Sequence, residues 1–359
     1  MIKVISIVGA RPQFVKASVI SREIAHHKNI KEVIIHTGQH FDKNMSDIFF
    51  DEMSIPYPDY NLNINGMSHG AMTGQMLEKI EGILIEEKPD WVLVYGDTNS
   101  TLAGALAAKK LHMKVAHIEA GLRSYNMHMP EEINRILTDR ISDILFCPTS
   151  QAVKNLEDEG FKNFPVKIEQ VGDIMLDAAI FYSAREKNIN LNTPDKFVLC
   201  TIHRAENTDN EQRLTSIFSA LEEIAKESFV VLPLHPRTKI KLKQIKYDFD
   251  NSCIQFISPV GYLEMIHLLK NCEMVITDSG GVQKEAYFFK KQCITIRDET
   301  EWVELIDAGC NVLAGANKNA IIEHYKKNKT KSFDLFEDEL YGKGDAGKII
   351  VNKILESNQ

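Results

Sequence analysis

The chain has 359 residues, of which 44% are hydrophobic and 26% charged, a composition that indicates globular domains and excludes a collagen-like or low-complexity chain. At roughly 100–200 residues per domain, this length predicts two domains or one large one. The 42 lysines and arginines against 50 aspartates and glutamates leave a net charge of −8. This balance argues against nucleic-acid binding but allows a locally positive pocket for an anionic small ligand.

Short β-branched runs alternate with helical patterns through the first half of the chain. Six runs are predicted strands: IKVISIVG, EVIIHTG, WVLVYG, KVAHIEAG, DILFCPT and VKIEQVG. Several are apolar on both faces, which is typical of a parallel sheet covered by helices. The segments LEKIEGILIEEK and PEEINRILTDRIS are predicted helices, and the second begins with Pro130 and carboxylates in its first turn. This order predicts βαβ units.

A second series of strands follows, and the domain boundary is predicted between Gly172 and Phe197. Its strands are FVLCTIH, FVVLPLHP, CIQFISPV, EMVITDSG and QCITIRD. The sequence therefore predicts an α/β fold of two doubly wound, Rossmann-like domains, residues 1–172 and 173–344. The amphipathic tail, about 345–359, predicts a final helix; the sequence leaves open whether it packs back on the first domain.

The cysteines and the apolar runs indicate the cellular compartment in which the protein is expected. Six cysteines are scattered singly without a Cys-x-x-Cys pair, so neither a zinc knuckle nor a redox pair is predicted. The chain starts without a signal-peptide pattern, and it has no run of about 18 apolar residues. A reduced, cytoplasmic protein with no membrane partner is expected.

Polar residues follow most of these strands, at the edge where open parallel sheets bind ligands. The first strand runs into Gly9–Lys16, a glycine turn before a helix, with Arg11 and Lys16 adding positive charge. This arrangement predicts an anion cradle, because the backbone N–H groups of a helix start attract anions. The alternative is a tight turn with surface cations. The segment matches neither G-x-G-x-x-G nor a Walker loop, so neither NAD nor ATP is predicted.

A second loop has the composition of a phosphate site. Ser279, Gly280 and Gly281 follow a strand and open a helix, and adjacent glycines let a diphosphate approach the backbone. Glu285, about one turn into that helix, could accept hydrogen bonds from ribose hydroxyls. The alternative is an ordinary glycine-bearing turn between strand and helix.

Carboxylates also cluster at strand ends. Asp97 and Glu119 end two strands, and Glu131 and Glu132 open the helix that contains Arg135. Acids brought together in a pocket have pKa values that burial and repulsion push apart, which is how acid–base chemistry is arranged near pH 7. The alternatives are an N-cap role for Asp97 and helix-dipole complementation for at least one of Glu131 and Glu132.

Two histidine–arginine pairs end consecutive strands of the second series. His203 is followed by Arg204, and His235 lies two residues before Arg237. Such pairs suit diphosphate contact or proton transfer, although a lone histidine is more often structural. Further polar loop residues are Gln39, His40 and His69. No H-E-x-x-H motif or metal-ligand set occurs, so no catalytic metal is predicted.

Ten ordered strings together resemble one family, the non-hydrolysing UDP-N-acetylglucosamine 2-epimerases. They cover nearly the whole chain and are GARPQFVK, TGQH, YGDTNST, HIEAGLRS, PEEINR, VGDIMLDA, TIHRAEN, HPRT, TDSGGVQKEA and RDETEW. The resemblance implies the GT-B fold, with the nucleotide sugar held in the cleft between the two domains. It also implies a homodimer that needs no cofactor.

The implied reaction is a non-redox inversion at C2 that interconverts UDP-N-acetylglucosamine and UDP-N-acetylmannosamine for polysaccharide precursor synthesis. UDP is eliminated as the C2 proton leaves, and it adds back to a bound 2-acetamidoglucal while a proton arrives on the opposite face. The family's acidic catalytic positions match Asp97, Glu119 and Glu131, and its histidine matches His203. A glycosyltransferase of the same fold and a hydrolysing epimerase are the alternatives.

The family's binding positions also map onto this chain. Arg11 and Lys16 match cations near the diphosphate, Ser279 with Gly280 and Gly281 the phosphate loop, and Glu285 the ribose contact. Arg135, Arg204, His235 and Arg237 complete the expected substrate-binding set. Some members bind a second UDP-N-acetylglucosamine as an activator, in segments that would correspond to Gln39, His40 and His69.

Two strings depart from the usual family pattern. Gln13 stands where a glutamate is usual, and Trp302 where an arginine is usual. A sub-branch with such strings acts on UDP-2,3-diacetamido-2,3-dideoxyglucuronate, and the loss of an acid near a substrate carboxylate makes electrostatic sense. Both residues are therefore expected near the sugar. UDP-N-acetylglucosamine is the expected substrate, with the uronic acid as the alternative.

Overall fold

The computed structural model describes residues 1–39, 50, 57–185, 191–329, 336 and 339–357. The chain forms two compact units, one comprising Met1–Ala178 with Glu339–Gln359 and the other Ala179–Asp338. The division falls inside the helix Ile174–Ser183, within the interval predicted for the boundary and six residues beyond residue 172, the predicted end of the first domain. Within the described ranges, no helix is long and apolar enough to cross a membrane.

The first unit is built on a parallel sheet. Its strands are β1 (Ile2–Val8), β2 (Ile30–His36), β3 (Tyr60–Asn61), β4 (Trp91–Tyr95), β5 (Lys114–Ile118), β6 (Ile144–Cys147) and β7 (Lys167–Gln170). Its helices are α1 (Arg11–Ile24), α2 (His69–Glu87), α3 (Asn99–Lys110), α4 (Pro130–Ile141), α5 (Ser150–Asp158), α6 (Ile174–Ser183, which carries the division) and the last helix of the chain. A 3₁₀ turn covers Phe161–Asn163.

The strand order of this sheet is β3-β2-β1-β4-β5-β6-β7. β1 is central and pairs in parallel with both neighbours, with Ile5 opposite Val33 on β2 and Val92 on β4. Every residue of β4 is buried. The predicted parallel sheet with helices on both faces is therefore confirmed. The strands β2 and β3 lie on one side of β1, and β4 to β7 lie on the other, so the strand order reverses between β1 and β4.

The second unit repeats the plan with a smaller sheet. Its strands are β8 (Val198–Thr201), β9 (Val230–Pro233), β10 (Gln255–Ile257), β11 (Met274–Thr277), β12 (Gln292–Thr295) and β13 (Asn311–Leu313), in the order β10-β9-β8-β11-β12-β13. Its helices are α7 (Ala205–Thr208), α8 (Glu211–Ala225), α9 (Pro236–Gln244), α10 (Tyr262–Asn271), α11 (Gly280–Phe288), α12 (Val303–Asp307) and α13 (Lys318–Asn328). The order reverses between β8 and β11.

Both faces of the second sheet are covered. Alternate residues of β8 point to opposite sides: Cys200 joins a core with residues of α8 and α13, and Leu199 joins a core with residues of α10 and α11. This explains why these strands read as continuous apolar runs in the sequence. The short edge strands β3 and β13 were not predicted, because two or three residues give too little pattern.

Local sequence fixes where the helices that follow the strands begin. Pro130 lies at the start of α4, with Glu131 and Glu132 in its first turn, as predicted. The side chains of Thr98 and Ser279 accept hydrogen bonds from the first turns of α3 and α11. These helix starts set the direction of the loops at the carboxyl edges of both sheets.

The last helix, α14 (Ala346–Glu356), packs against α1 in the first unit. The carboxylate of Asp177 accepts hydrogen bonds from the backbone N–H groups of Ala346 (3.2 Å) and Gly347 (2.8 Å), which anchors the helix start. A β-carbon on Gly347 would lie 2.5 Å from Cγ1 of Val19. Glycine is therefore required for the close approach of the two helices.

We expect Gly347→Ala to lower the free energy of unfolding by about 1–3 kcal/mol, because the added methyl group forces two packed helices apart. Gly74→Ala is the matched control: a β-carbon at Gly74 in α2 would meet nothing within 4 Å, so higher helix propensity should stabilise by roughly 0.5–1 kcal/mol. Urea unfolding measures both. Equal effects of the two substitutions would contradict the assigned packing.

Candidate active site

The predicted site residues lie at the carboxyl edges of the two sheets, beside the positions where the strand order reverses. In the first unit, Gly9 follows β1 and Gly96 follows β4; in the second, Ile202 follows β8 and Asp278 follows β11. Ligands of doubly wound sheets bind at such positions. The two edges are described separately below.

Lys16 and Glu119 form a nearly buried ion pair on the first edge. The Lys16 Nζ lies 2.5 Å from the Glu119 Oε1. Both groups rest against Gly96, where a β-carbon would be 3.1 Å from the ammonium nitrogen and 3.5 Å from the carboxylate oxygen. Gly96 has φ +61°, so glycine is favoured there by backbone conformation as well as by space.

Glu119 itself has φ +69°, a left-handed conformation that is uncommon for residues other than glycine. Such a backbone persists only where the surroundings impose it, and it is frequent at active sites. Its peptide is held on the following side, where the Ala120 N–H donates to the Phe146 carbonyl oxygen at 3.0 Å. The carboxylate predicted to act as an acid or base is therefore on a strained, fixed piece of backbone.

Asp97 is the second acid of this edge, and Arg135 of α4 holds it. The Arg135 Nη2 lies 2.5 Å from the Asp97 Oδ2, and the Asn134 Nδ2 donates to the Asp97 carbonyl oxygen at 2.9 Å. Arg135 is buried, whereas the Asp97 side chain remains 29% exposed. The acid is therefore accessible while its cation is fixed behind it.

Glu131 and Glu132 are adjacent but have different surroundings. Glu132 is fully buried and accepts hydrogen bonds from the Ser124 N–H (3.0 Å), the Ser124 hydroxyl (3.0 Å) and the Tyr125 N–H (2.9 Å). Its Oε2 also lies 3.1 Å from the Arg135 Nη1. Glu131 is exposed at the helix start. Glu132 is thus the structural member of the pair, and Glu131 stays the candidate for chemistry.

Gln13 is buried, and its amide is used within the first unit. Its Oε1 accepts from the Gly9 and Ala10 N–H groups, both at 2.9 Å. Its Nε2 donates to the Tyr95 carbonyl oxygen at 2.8 Å and to the Thr101 Oγ1 at 2.9 Å. All four hydrogen bonds of the amide are satisfied. Gln13 therefore joins the ends of β1 and β4, a role that the sequence analysis did not foresee.

The start of α3 gathers the residues proposed for a second ligand. The Gln39 Oε1 accepts from the Ser100 N–H (3.1 Å) and hydroxyl (2.8 Å), and the His69 Nδ1 lies 3.2 Å from the Asn99 Nδ2. His40 lies outside the described residues. Arg11 opens α1, and its side chain is likewise outside the described part of the chain.

In the second unit, the buried carboxylate of Asp278 organises the loop after β8. It accepts hydrogen bonds from the backbone N–H groups of His203 and Arg204 and from the Asn207 amide, all at 3.1–3.2 Å. The His203 Nδ1 lies 3.5 Å from its Oδ1. Asp278 was part of a predicted motif without a role of its own; its position directly after β11 was the available signal.

His203 and His235 are neighbours, with ring centroids 5.7 Å apart. The His235 Nδ1 accepts from the Arg237 N–H at 3.2 Å, so this histidine also caps α9. The Arg237 Nε donates to the Thr208 Oγ1 at 2.9 Å, and its guanidinium pairs with Asp209. The two histidine–arginine pairs are thus brought together, as their strand-end positions predict.

The phosphate-loop candidate follows β11. Ser279 caps α11, and a β-carbon on Gly280 would lie 2.4 Å from the Glu301 Oε1 and 3.6 Å from the Arg204 Nη2. A β-carbon on Gly281 would meet nothing within 4 Å. Gly280 is therefore needed for packing, while Gly281 leaves open space at a helix N-terminus, the geometry that an anion uses.

Trp302 and Glu285 are both buried in the second unit. Trp302 is only 3% exposed, and the Lys284 ammonium lies 4.1 Å from its ring centroid, a cation–π contact. The structure places this tryptophan in the interior instead of on an open surface. Within the described residues, no group of three or more His, Cys, Asp or Glu side chains is placed to hold a metal ion.

Comparison with known proteins decides the family. The family model described as "UDP-N-acetylglucosamine 2-epimerase" matches residues 22–355. The chain belongs to the UDP-N-acetylglucosamine 2-epimerase family. It is thus an isomerase that acts on a UDP-sugar, and the resemblance drawn from its motifs is confirmed.

Relatives of this family match the whole chain. A UDP-2,3-diacetamido-2,3-dideoxy-D-glucuronate 2-epimerase of Pseudomonas aeruginosa is 56% identical over 97% of this chain and 98% of its own. A UDP-N-acetylglucosamine 2-epimerase of Methanocaldococcus jannaschii is 46% identical over 96% of each chain.

A solved structure agrees in fold. The crystal structure of the M. jannaschii enzyme in complex with UDP-GlcNAc and UDP has a TM-score of 0.91 and 44% identity, covering 99% of this chain and 100% of that chain. With such neighbours and two parallel sheets, the expected two-domain α/β fold of the GT-B type is confirmed.

The predicted phosphate loop implies that Gly281→Ala weakens UDP binding at least 10-fold without lowering the melting temperature, because the new methyl group meets no protein atom within 4 Å and takes the space predicted for the diphosphate. Gly280→Ala is the comparison. It should lower both the UDP affinity and the melting temperature, because its methyl group collides with Glu301. Calorimetric titration with UDP and thermal unfolding separate the two. Unchanged UDP affinity in Gly281→Ala would place the diphosphate elsewhere.

Proposed function

We propose that the chain inverts C2 of a UDP-2-acetamido sugar by eliminating UDP and adding it back. A carboxylate removes the C2 proton, the C1–O bond breaks with its electron pair going to UDP, and a C1–C2 double bond forms. In the return step UDP attacks C1 and an acid delivers a proton to the opposite face of C2. No electrons are exchanged with a cofactor.

The observation that carries this proposal is the pair of acids on neighbouring strands. Asp97 and Glu119 follow β4 and β5, and each is held by its own cation, Arg135 and Lys16. Inversion at carbon needs groups that take and give a proton on two faces, and positioned carboxylates can do both. Glu131, exposed at the start of α4, is the third candidate acid.

The leaving group needs positive charge and N–H donors. In the second unit, His203 and Arg204 lie beside the helix start at Ser279–Gly281. Such preorganised donors stabilise charge that develops on a departing diphosphate. The proposal therefore assigns contact with the leaving diphosphate to this edge and proton transfer to the acids of the first unit.

We propose UDP-2,3-diacetamido-2,3-dideoxyglucuronate as the substrate. The support is the 56% identity, over nearly the full length of both chains, to the P. aeruginosa protein of that name. The second candidate, UDP-N-acetylglucosamine, is supported by relatives of that name at 45–46% identity. This ordering reverses the expectation from sequence alone, which favoured the neutral sugar. Homodimeric assembly rests on the family resemblance, a cytoplasmic location rests on the cysteine and hydropathy patterns, and both stay predictions.

Asp97→Asn and Glu119→Gln should each lower kcat by about 10²–10⁴-fold and leave UDP affinity within a few-fold, because they remove acid–base groups and keep side-chain volume. Asp143→Asn is the matched control: its carboxylate pairs with Lys109 and lies partly exposed at the opposite end of the strands. Steady-state kinetics and UDP titration measure the effect. Equal losses of kcat and UDP affinity would make the acids binding residues.

The substrate is tested by NMR of the purified enzyme with each UDP-sugar in deuterated water. We expect deuterium to enter at C2 with the uronic acid, at a kcat/KM well above that with UDP-N-acetylglucosamine. The reverse preference would establish the second candidate. Release of a free reducing sugar would show hydrolysis, and retention of the original C2 hydrogen would exclude exchange through a solvent-accessible base.

A further inference from the structure

His117 is the last-but-one residue of β5, two residues before Glu119, and its side chain is fully buried. Its Nδ1 lies 2.7 Å from the Asp139 Oδ1, and its Nε2 lies 2.7 Å from the Gly96 carbonyl oxygen. Sequence analysis assigned no role to either His117 or Asp139. The mechanism proposed above does not use them.

The two contacts hold the ring at both nitrogens. A carbonyl oxygen only accepts hydrogen bonds, so Nε2 must carry a proton. Burial opposes the charge of Asp139, but His117 and Arg123 together hold the pKa of this carboxyl below its ordinary value. The imidazole is therefore fixed between the Asp139 carboxylate and the Gly96 peptide.

Asp139 has further partners. Its Oδ2 accepts from the Arg123 Nη1 at 2.7 Å and from the Gly121 N–H at 3.2 Å. Arg123 in turn makes a two-point contact with Glu159, at 2.6 and 2.9 Å. The imidazole, the guanidinium and the two carboxylates therefore form one continuous network, and a network this complete is rigid.

The network holds the backbone on both sides of Glu119. His117 precedes it and bonds Asp139 through its ring, and Gly121 follows it and bonds the same carboxylate through its N–H. The left-handed conformation of Glu119 lies between these two anchors.

The same ring holds the residue before Asp97. The Gly96 carbonyl oxygen accepts from His117, and the Gly96 N–H donates to the Ile118 carbonyl oxygen at 2.9 Å. Both hydrogen-bonding groups of Gly96 are therefore attached to β5, which fixes the peptide that leads into Asp97.

We infer that His117, held between the Asp139 carboxylate and the Gly96 carbonyl oxygen, is a positioning residue that sets the separation of Asp97 and Glu119. The inference rests on the proposed function of these two acids. It adds a fully buried residue through which one side chain controls the backbone of both.

The first test is independent of activity. In protein labelled with ¹⁵N-histidine, the Nε2 of His117 should carry a proton, and a resonance pattern in which Nε2 carries none would overturn the inference. In His117→Gln, hydrogen exchange at the Gly96 amide should become at least 10-fold faster. Unchanged exchange there would also overturn it, whatever the enzyme's substrate.

The second test compares two buried histidines. His117→Gln should lower kcat about 10- to 100-fold while KM and UDP affinity stay within about two-fold. His36→Gln is the control, because His36 is buried on β2 against Phe14 and has no contact with Gly96 among its described contacts. It should lower the melting temperature comparably and leave kcat within about two-fold.

Equal kcat losses in both variants would show a general structural effect and overturn the positioning role. A wild-type enzyme that epimerises neither sugar would instead refute the proposed function, and the NMR and exchange results would still stand on their own.

Discussion

Charge pairing at the carboxyl edge of β1, β4 and β5 is the constraint on which the first unit depends. Adjacent strands are only about 4.7–4.9 Å apart, so acids that follow β4 and β5 repel each other unless cations lie between or behind them. Lys16 comes from α1 and Arg135 from α4, and each pairs with a different acid. Because a buried charge without a partner is costly, the positions of both helices are tied to the site.

The second unit uses the same plan with the charges exchanged. There the buried group is a carboxylate, Asp278, and the groups that it presents outward are His203 and Arg204. In one unit two acids are thus each paired with a cation from a helix, and in the other one buried acid holds the backbone of a histidine and an arginine. Proton transfer at carbon needs the first arrangement and a departing diphosphate needs the second.

Sequence predicts which residues lie at a sheet edge more reliably than where their side chains point. Apolar strands, glycine turns and helix starts located Asp97, Glu119, His203 and Gly281, because each lies within four residues of a strand end. Gln13 lies five residues after the end of β1 but is buried, since successive helical residues are turned by about 100°. The same rotation separates Glu131 from Glu132. Trp302 precedes α12 and is buried as well. The roles of His117 and Asp139 depend on contacts between β5 and α4, which no short motif records.

The hydrogen bonds of Gln13 suggest another reason than substrate charge for the glutamine that replaces the usual glutamate of the family. A glutamate at this position would keep the acceptor for Gly9 and Ala10 but would lose the two N–H donors that reach Tyr95 and Thr101. Exchanging glutamine for glutamate at position 13 therefore changes the hydrogen bonds that connect the ends of β1 and β4 with the start of α3. This effect does not require a sugar carboxylate near position 13. Trp302 is buried as well, and the expectation that both residues lie near the sugar stays a prediction. The substrate proposal consequently depends on full-length similarity, and residues that contact the sugar at C5 must be sought among the exposed side chains of the two edges.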